Sequence, residues 1–228
     1  MSPDAVETEL RELQDMFAPE ELHPDLARAY KEDPFPMIHH PLHVSVIHGP
    51  HMNKMANKAY AWKKDQIAKC IKEENWPSYI MLHERAYRTD ALVRVFTRHE
   101  VPTRGRIAGE LVADVWTDQE NPHVDLEFWF NAFNALTPDD LMDSQYGDGY
   151  QRWKDLPDEF TIFRGSDHEP VENGIAWTLS EEKAEWFANR FDRKGRVVSR
   201  NAKKYHTRAL FTGRGEDEVI YSPLFTPL

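Results

Sequence analysis

The 228-residue sequence is short of three things. It has one cysteine, Cys70, so no internal disulfide can form, and its thiol favours a reducing compartment. It has no apolar run approaching the ~20 residues that a membrane span needs, which excludes a transmembrane helix. Its first residues, "MSPDAVETELREL", are acidic and amphipathic, unlike the basic-then-apolar order of a secretory signal. Together these absences predict a cytoplasmic protein. Acidic side chains are also missing from one place: between Arg193 and Gly215 there are eight Lys or Arg and no Asp or Glu. The chain as a whole carries a net charge of -11, which argues against nucleic-acid or membrane adhesion over its whole surface. The basic stretch is therefore either a local phosphate contact or an ordinary strand pair with protected edges.

What the chain does have is 40% hydrophobic residues, with seven Trp, eight Tyr and twelve Phe, enough to build a folded core. Residues 1–156 read as mainly helical. Val6, Leu10, Leu13 and Phe17 recur at helical spacing, as do Met52, Met55, Ala56, Ala59, Tyr60, Ile67 and Ile71, with Pro77 expected to stop that second helix. "SYIMLHERAYRTDALVRVF", "GRIAGELVADVW" and "HVDLEFWFNAFNAL" each predict a helix, and "TPDD" offers Thr137 as an N-cap with Pro138 at the first helical position. Within "LHERAYR", Glu84 and Arg88 are spaced as an i,i+4 ion pair.

After about residue 157 the period drops from 3.6 to 2. "FTIFRG", "GIAWTL", "GRVVSR", "TRALFT" and "DEVIY" read as strands, and "SEEKAEWFANRF" as a helix capped by Ser180. The predicted class is α+β, a helical N-terminal region followed by a C-terminal β-rich core over 157–228.

Two clusters carry candidate chemistry. "HHPLHVSVIHGPH" holds His39, His40, His43, His48 and His51, a density that raises the question of a metal-dependent hydrolase. Pro41 and Pro50 interrupt it and no zinc spacing emerges, so a loop without metal is the preferred reading. The second cluster spans the C-terminal strands. Arg164 closes one strand and is followed by Gly165, "AWTLS" brings Thr178 and Ser180, and "GRGEDEVIY" places Glu216 and Glu218 two apart. On a strand those two acids would share a face and repel, a cost that calls for a use.

The order "FRG", "GIAWTLSEEKAEWFANRF", "GEDEVIY" resembles the mono-ADP-ribosyltransferases of the Arg / Ser-Thr-Ser / Glu-x-Glu class, in the compact bacterial and prophage form that also carries a segment like "VWTDQENPH" (Val115 to His123). The resemblance covers about the last 70 residues. It implies a split β-sheet core and NAD as substrate, with no metal. Glu218 is then catalytic, Glu216 bears on the acceptor, and Arg164 holds the NAD phosphates and braces the site. Gly165 would clamp the nicotinamide carboxamide, and Trp177, Thr178 and Ser180 complete the NAD-binding set, with Phe187 a second aromatic candidate. Ala176 stands where the family's first serine steadies the catalytic glutamate, which leaves that support unassigned. The resemblance further implies a macromolecular acceptor, either protein arginine or nucleic acid reached through the basic stretch 193–208. It also implies a toxin or defence role with a neutralising antitoxin. The competing readings are an NAD glycohydrolase and a non-enzymatic phage interaction protein on a degenerate scaffold.

Overall fold

The change of period near residue 157 is visible as a change from helix to antiparallel sheet in the computed structural model, which describes residues 18–119, 125–144, 148–167, 170–190, 194–213 and 215–227. The Val6–Phe17 stripe lies outside the described residues. The chain divides into two compact units, one ending at Val95 and the other Phe96–Leu228, so the expected break near 157 is a change of structure type inside the second unit. The protein is of mixed α and β type with antiparallel sheets. Among the described residues no helix is long and apolar enough to cross a membrane.

The N-terminal unit contains a feature the sequence reading lacks. Helix α1 (Pro24–Arg28) is followed by strands β1 (Tyr30–Lys31), β2 (Met37–His40) and β3 (His43–Val46), in the order β1-β2-β3. The histidine-rich segment is thus a hairpin and not a loop: His40 pairs with His43 across Pro41 and Leu42. Helix α2 (Asn53–Lys72) packs Ala56 and Tyr60 against Leu26, Ile38 and Leu42. Pro77 does not stop it. Glu74, in the left-handed region at φ 53°, ends that run, and Pro77 opens the next helix, α3 (Trp76–Met81), capped by the Asn75 side chain.

The single helix expected from Ser78 to Phe96 is broken as well. After α3 the chain leaves helical geometry at Glu84 and re-enters through a tight turn into α4 (Arg88–Arg98). Glu84 pairs with Lys63 at 2.7 Å, while Arg88 donates to the His83 carbonyl, so the expected Glu84–Arg88 pair does not form. A carboxylate bridging to α2 and a backbone N–H donated to the Pro41 carbonyl together outweigh local helix propensity.

In the C-terminal unit, α5 (Arg106–Asp118) buries Ala108, Leu111, Val112, Val115 and Trp116. Gly109 lets it approach the turn at Asp140, whose carbonyl a Cβ would overlap. Helices α6 (Leu126–Ala135) and α7 (Gly149–Asp155) follow. Between them Thr137 and Asp140 exchange the cap bonds that the sequence suggests, but around a turn and not at a helix start.

The remaining elements are β4 (Glu159–Ser166), β5 (Ala176–Thr178), α8 (Glu181–Asn189), β6 (Arg196–Lys203), β7 (Thr207–Phe211) and β8 (Glu218–Tyr221). They form one antiparallel sheet in the order β6-β4-β5-β8-β7. One face carries the core: Ile162, Trp177, Ala202, Leu210, Val219 and Tyr221. At the outer strand, Arg208 is 1% exposed in a bulge of β7. Its guanidinium donates to the carbonyls of Thr207 and Thr226 and lies over the Phe225 ring. Burial pulls its pKa down to about 10.

Candidate functional site

β4 and β5 share one register pair, Phe163 with Thr178, whereas β4 and β6 pair along their whole length. The sheet therefore parts beyond Phe163, and Arg164 stands at the parting. Its Nε donates to the Val171 carbonyl at 2.9 Å and its Nη1 to the Ala176 carbonyl. Gly174 leaves room for the guanidinium, since a Cβ there would sit 2.0 Å from Cζ. Arg164 thus ties the 171–176 segment to the end of β4. Burial pulls the guanidinium below its ordinary pKa, and the negative charge of Glu218 opposes that pull. The arginine and glutamate singled out from sequence are within electrostatic reach of each other.

The "GEDE" run is built differently from a plain strand entrance. β8 begins at Glu218, and Asp217 before it lies in the left-handed region at φ 47°. Glu216 and Glu218 therefore do not alternate along one strand face, and the repulsion expected from that geometry is avoided. Three successive residues are each held by a different element. The Glu216 carbonyl accepts from Thr178 Oγ1 on β5 at 2.7 Å. The Asp217 carboxylate takes Nη1 of Arg152 on α7 at 2.6 Å. Oε2 of Glu218 accepts from Nε1 of Trp116 on α5 at 3.1 Å. Only the Glu216 side chain has no hydrogen-bond partner among the described residues.

Other residues of the middle motif serve the scaffold. The Thr178 hydroxyl, 4% exposed, also accepts from the Ser180 N–H, and Ser180 caps α8 by accepting from the Lys183 N–H. Trp177 is 3% exposed and belongs to the core: it packs edge-on to Tyr221, lies under Arg200 and donates to the Gly174 carbonyl. That placement puts it in the core face and not in a ligand-stacking position. Gly165 is pressed against α8, where a Cβ would come within 1.7 Å of the Ala184 carbonyl oxygen. Helix packing alone thus requires a glycine there. Phe187 is half-buried beside the exposed Trp186.

Trp116 lies in the "VWTDQENPH" segment that the resemblance includes, but the sequence reading gave it no role beside Glu218. The usable signal was a tryptophan on the buried face of a helix, because a buried indole N–H needs an acceptor.

The basic stretch is largely put to internal use. Arg196 holds both carboxylate oxygens of Glu172, Arg200 stacks on Trp177, Lys204 donates to the carbonyls of Lys154 and Leu156, and Arg208 is buried. Arg193 and Arg214 lie outside the described residues. Several histidines are likewise employed. His40 Nδ1 accepts the Leu42 N–H, His48 Nε2 bonds Asn53, and His83 Nδ1 donates to the Tyr79 carbonyl. Among the described residues no group of three or more His, Cys, Asp or Glu side chains is placed to hold a metal ion.

No family model, no curated protein and no solved structure matches the chain.

Proposed function

We propose that the chain is an NAD-dependent mono-ADP-ribosyltransferase, with Glu218 at the reacting ribose and Arg164 bracing the donor site. The observation that carries the reading is geometric: a carboxylate at the first residue of β8, held by the Trp116 indole, on the same sheet as the arginine that ties the 171–176 segment where β4 and β5 separate. The order Arg164, β5, Glu218 is also that of the transferases the sequence resembles.

The chemistry follows from those groups. The bond between ribose C1′ and the nicotinamide nitrogen breaks, its electron pair leaves with nicotinamide, and the ribose becomes oxocarbenium-like. A fixed carboxylate stabilises that positive charge without having to reorganise as it develops. A nucleophile on the acceptor then bonds to C1′ and loses a proton, for which Glu216 is the available base. Arg164 spends two of its five N–H groups, on Nε and Nη1, on carbonyls, so its part is to hold the 171–176 segment and supply positive charge. The acceptor that fits best is a protein arginine. Among the described residues the Glu216 side chain has no hydrogen-bond partner, which suits a guanidinium, and Arg196, Arg200, Lys204 and Arg208 of the basic stretch already serve internal contacts.

The test is nicotinamide release from NAD. Glu218→Gln should lower it by about 100-fold or more at an unchanged melting temperature, and release at the wild-type rate would sink the proposal. With adenine-labelled NAD and cell extract, label on protein marks a transferase, and label found only in free ADP-ribose marks a glycohydrolase. A second reading rests on Arg164 and Gly165, whose contacts are also what a non-enzymatic scaffold requires. Absence of both nicotinamide release and calorimetric NAD binding would select it.

A further inference from the structure

We infer that Trp116 is the positioning residue for Glu218, fixing the direction of its carboxylate from a helix that begins far from β8 in sequence. The inference rests on the NAD reading for its catalytic meaning, though not for its geometry. An indole carries one donor and no acceptor, so its hydrogen bond can point only one way. Trp116 is 4% exposed and packed edge-on against Trp129 at 5.1 Å and Phe133 at 5.2 Å, both fully buried. The ring cannot turn without repacking that cluster, so Nε1 is a fixed point to which Oε2 is held at 3.1 Å.

The chemical identity of the donor matters as much as its rigidity. A lysine or arginine at this position would orient the carboxylate but would also neutralise it. A neutral N–H orients Glu218 without setting a second cation beside it in addition to Arg164. The strand next to Glu218 provides no substitute. Thr178, its register partner, commits its hydroxyl to the Glu216 carbonyl and the Ser180 N–H, and Ala176 has no hydroxyl. The support left unassigned at Ala176 is thus supplied from α5.

Two measurements on the full chain test this. In a ¹⁵N-labelled sample with the seven indole resonances assigned by triple-resonance experiments, Glu218→Ala should move the Trp116 indole proton upfield and speed its exchange with solvent. A Trp116 resonance unchanged in both respects would overturn the inference, whether or not the protein acts on NAD. Trp116→Phe, which loses the N–H and part of the packed indole, should lower Tm and, assayed well below that Tm, lower kcat for nicotinamide release about tenfold with KM for NAD within about twofold. A variant with unaltered kcat would also overturn it. A wild-type protein that releases no nicotinamide would reject the NAD reading, and the resonance measurement would still decide the contact.

Discussion

The N-terminal unit is dense in histidines whose ring nitrogens bond residues close in sequence, whereas the C-terminal unit gathers three acids whose partners lie far from them in sequence. His23 and His40 each accept a backbone N–H from two residues on, and His83 bonds a carbonyl four residues back. The holds on Glu216, Asp217 and Glu218 span 38, 65 and 102 residues. Local closure is what a hairpin and its flanking helices need, since caps and turns satisfy backbone groups at short range. Long-range convergence on three consecutive residues costs more chain entropy, because several elements must be ordered at once. Crowded imidazoles that close on near neighbours thus accompany a hairpin, whereas acids held from a distance mark where several elements converge.

Three perturbations sharpen that contrast. The largest effect is expected from Gly165→Ala, which forces a methyl into the backbone of α8 and should cost about 3 kcal/mol in urea unfolding. A cost below about 1 kcal/mol would mean that α8 gives way and the packing around the acid corner is loose. Thr178→Val removes two hydrogen bonds at a buried site with little change in volume. It should cost about 2 kcal/mol, and nicotinamide release should fall with it as the Glu216 carbonyl is freed. Equal loss of stability with intact turnover would separate the β5 tether from the chemistry.

The smallest effect is one of pH, and it should fall on the other unit. Burial holds His40, His43 and His83 below the ordinary histidine value of 6.5, so the unfolded chain takes up their protons more readily than the folded one. The stability this provides is complete above about pH 6.5 and declines as pH falls below it. Hydrogen exchange should show residues 37–46 losing protection between pH 7.5 and 5.5, ahead of β4 and β8. The reverse order would mean that the histidines are not the acid-sensitive element.

The C-terminal tail was legible because its strands alternate with a period of 2 and are punctuated by Gly, Pro and a good N-cap at Ser180. Its five strands and helix therefore fall where the pattern places them. The order of the strands was not legible, since pairing is a long-range property. The β2–β3 hairpin was missed because histidine is counted as neither apolar nor strand-forming, although Ile38, Val44 and Val46 were in place. The helix after Met81 was drawn too long because nothing in "LHERAYR" announces that Glu84 bonds elsewhere. At the site, Arg164 and Glu218 could be named from residue type and order. That Glu216 stands off the strand follows from one backbone angle at Asp217, which no pattern of side chains encodes.

Arg208 bears on the same carboxylate from the opposite end of a strand. In the antiparallel pair of β7 and β8, Thr207 meets Tyr221 at one end and Phe211 meets Glu218 at the other. A slip of one residue would turn every side chain of β7 to the wrong face. It would also drag the Arg208 guanidinium away from the Thr226 carbonyl and the Phe225 ring, stranding a cation without the groups that now solvate it. The bulge and its buried arginine thus act as an alignment pin. They permit one pairing, and in that pairing Glu218 arrives at the start of β8 within reach of the indole of Trp116.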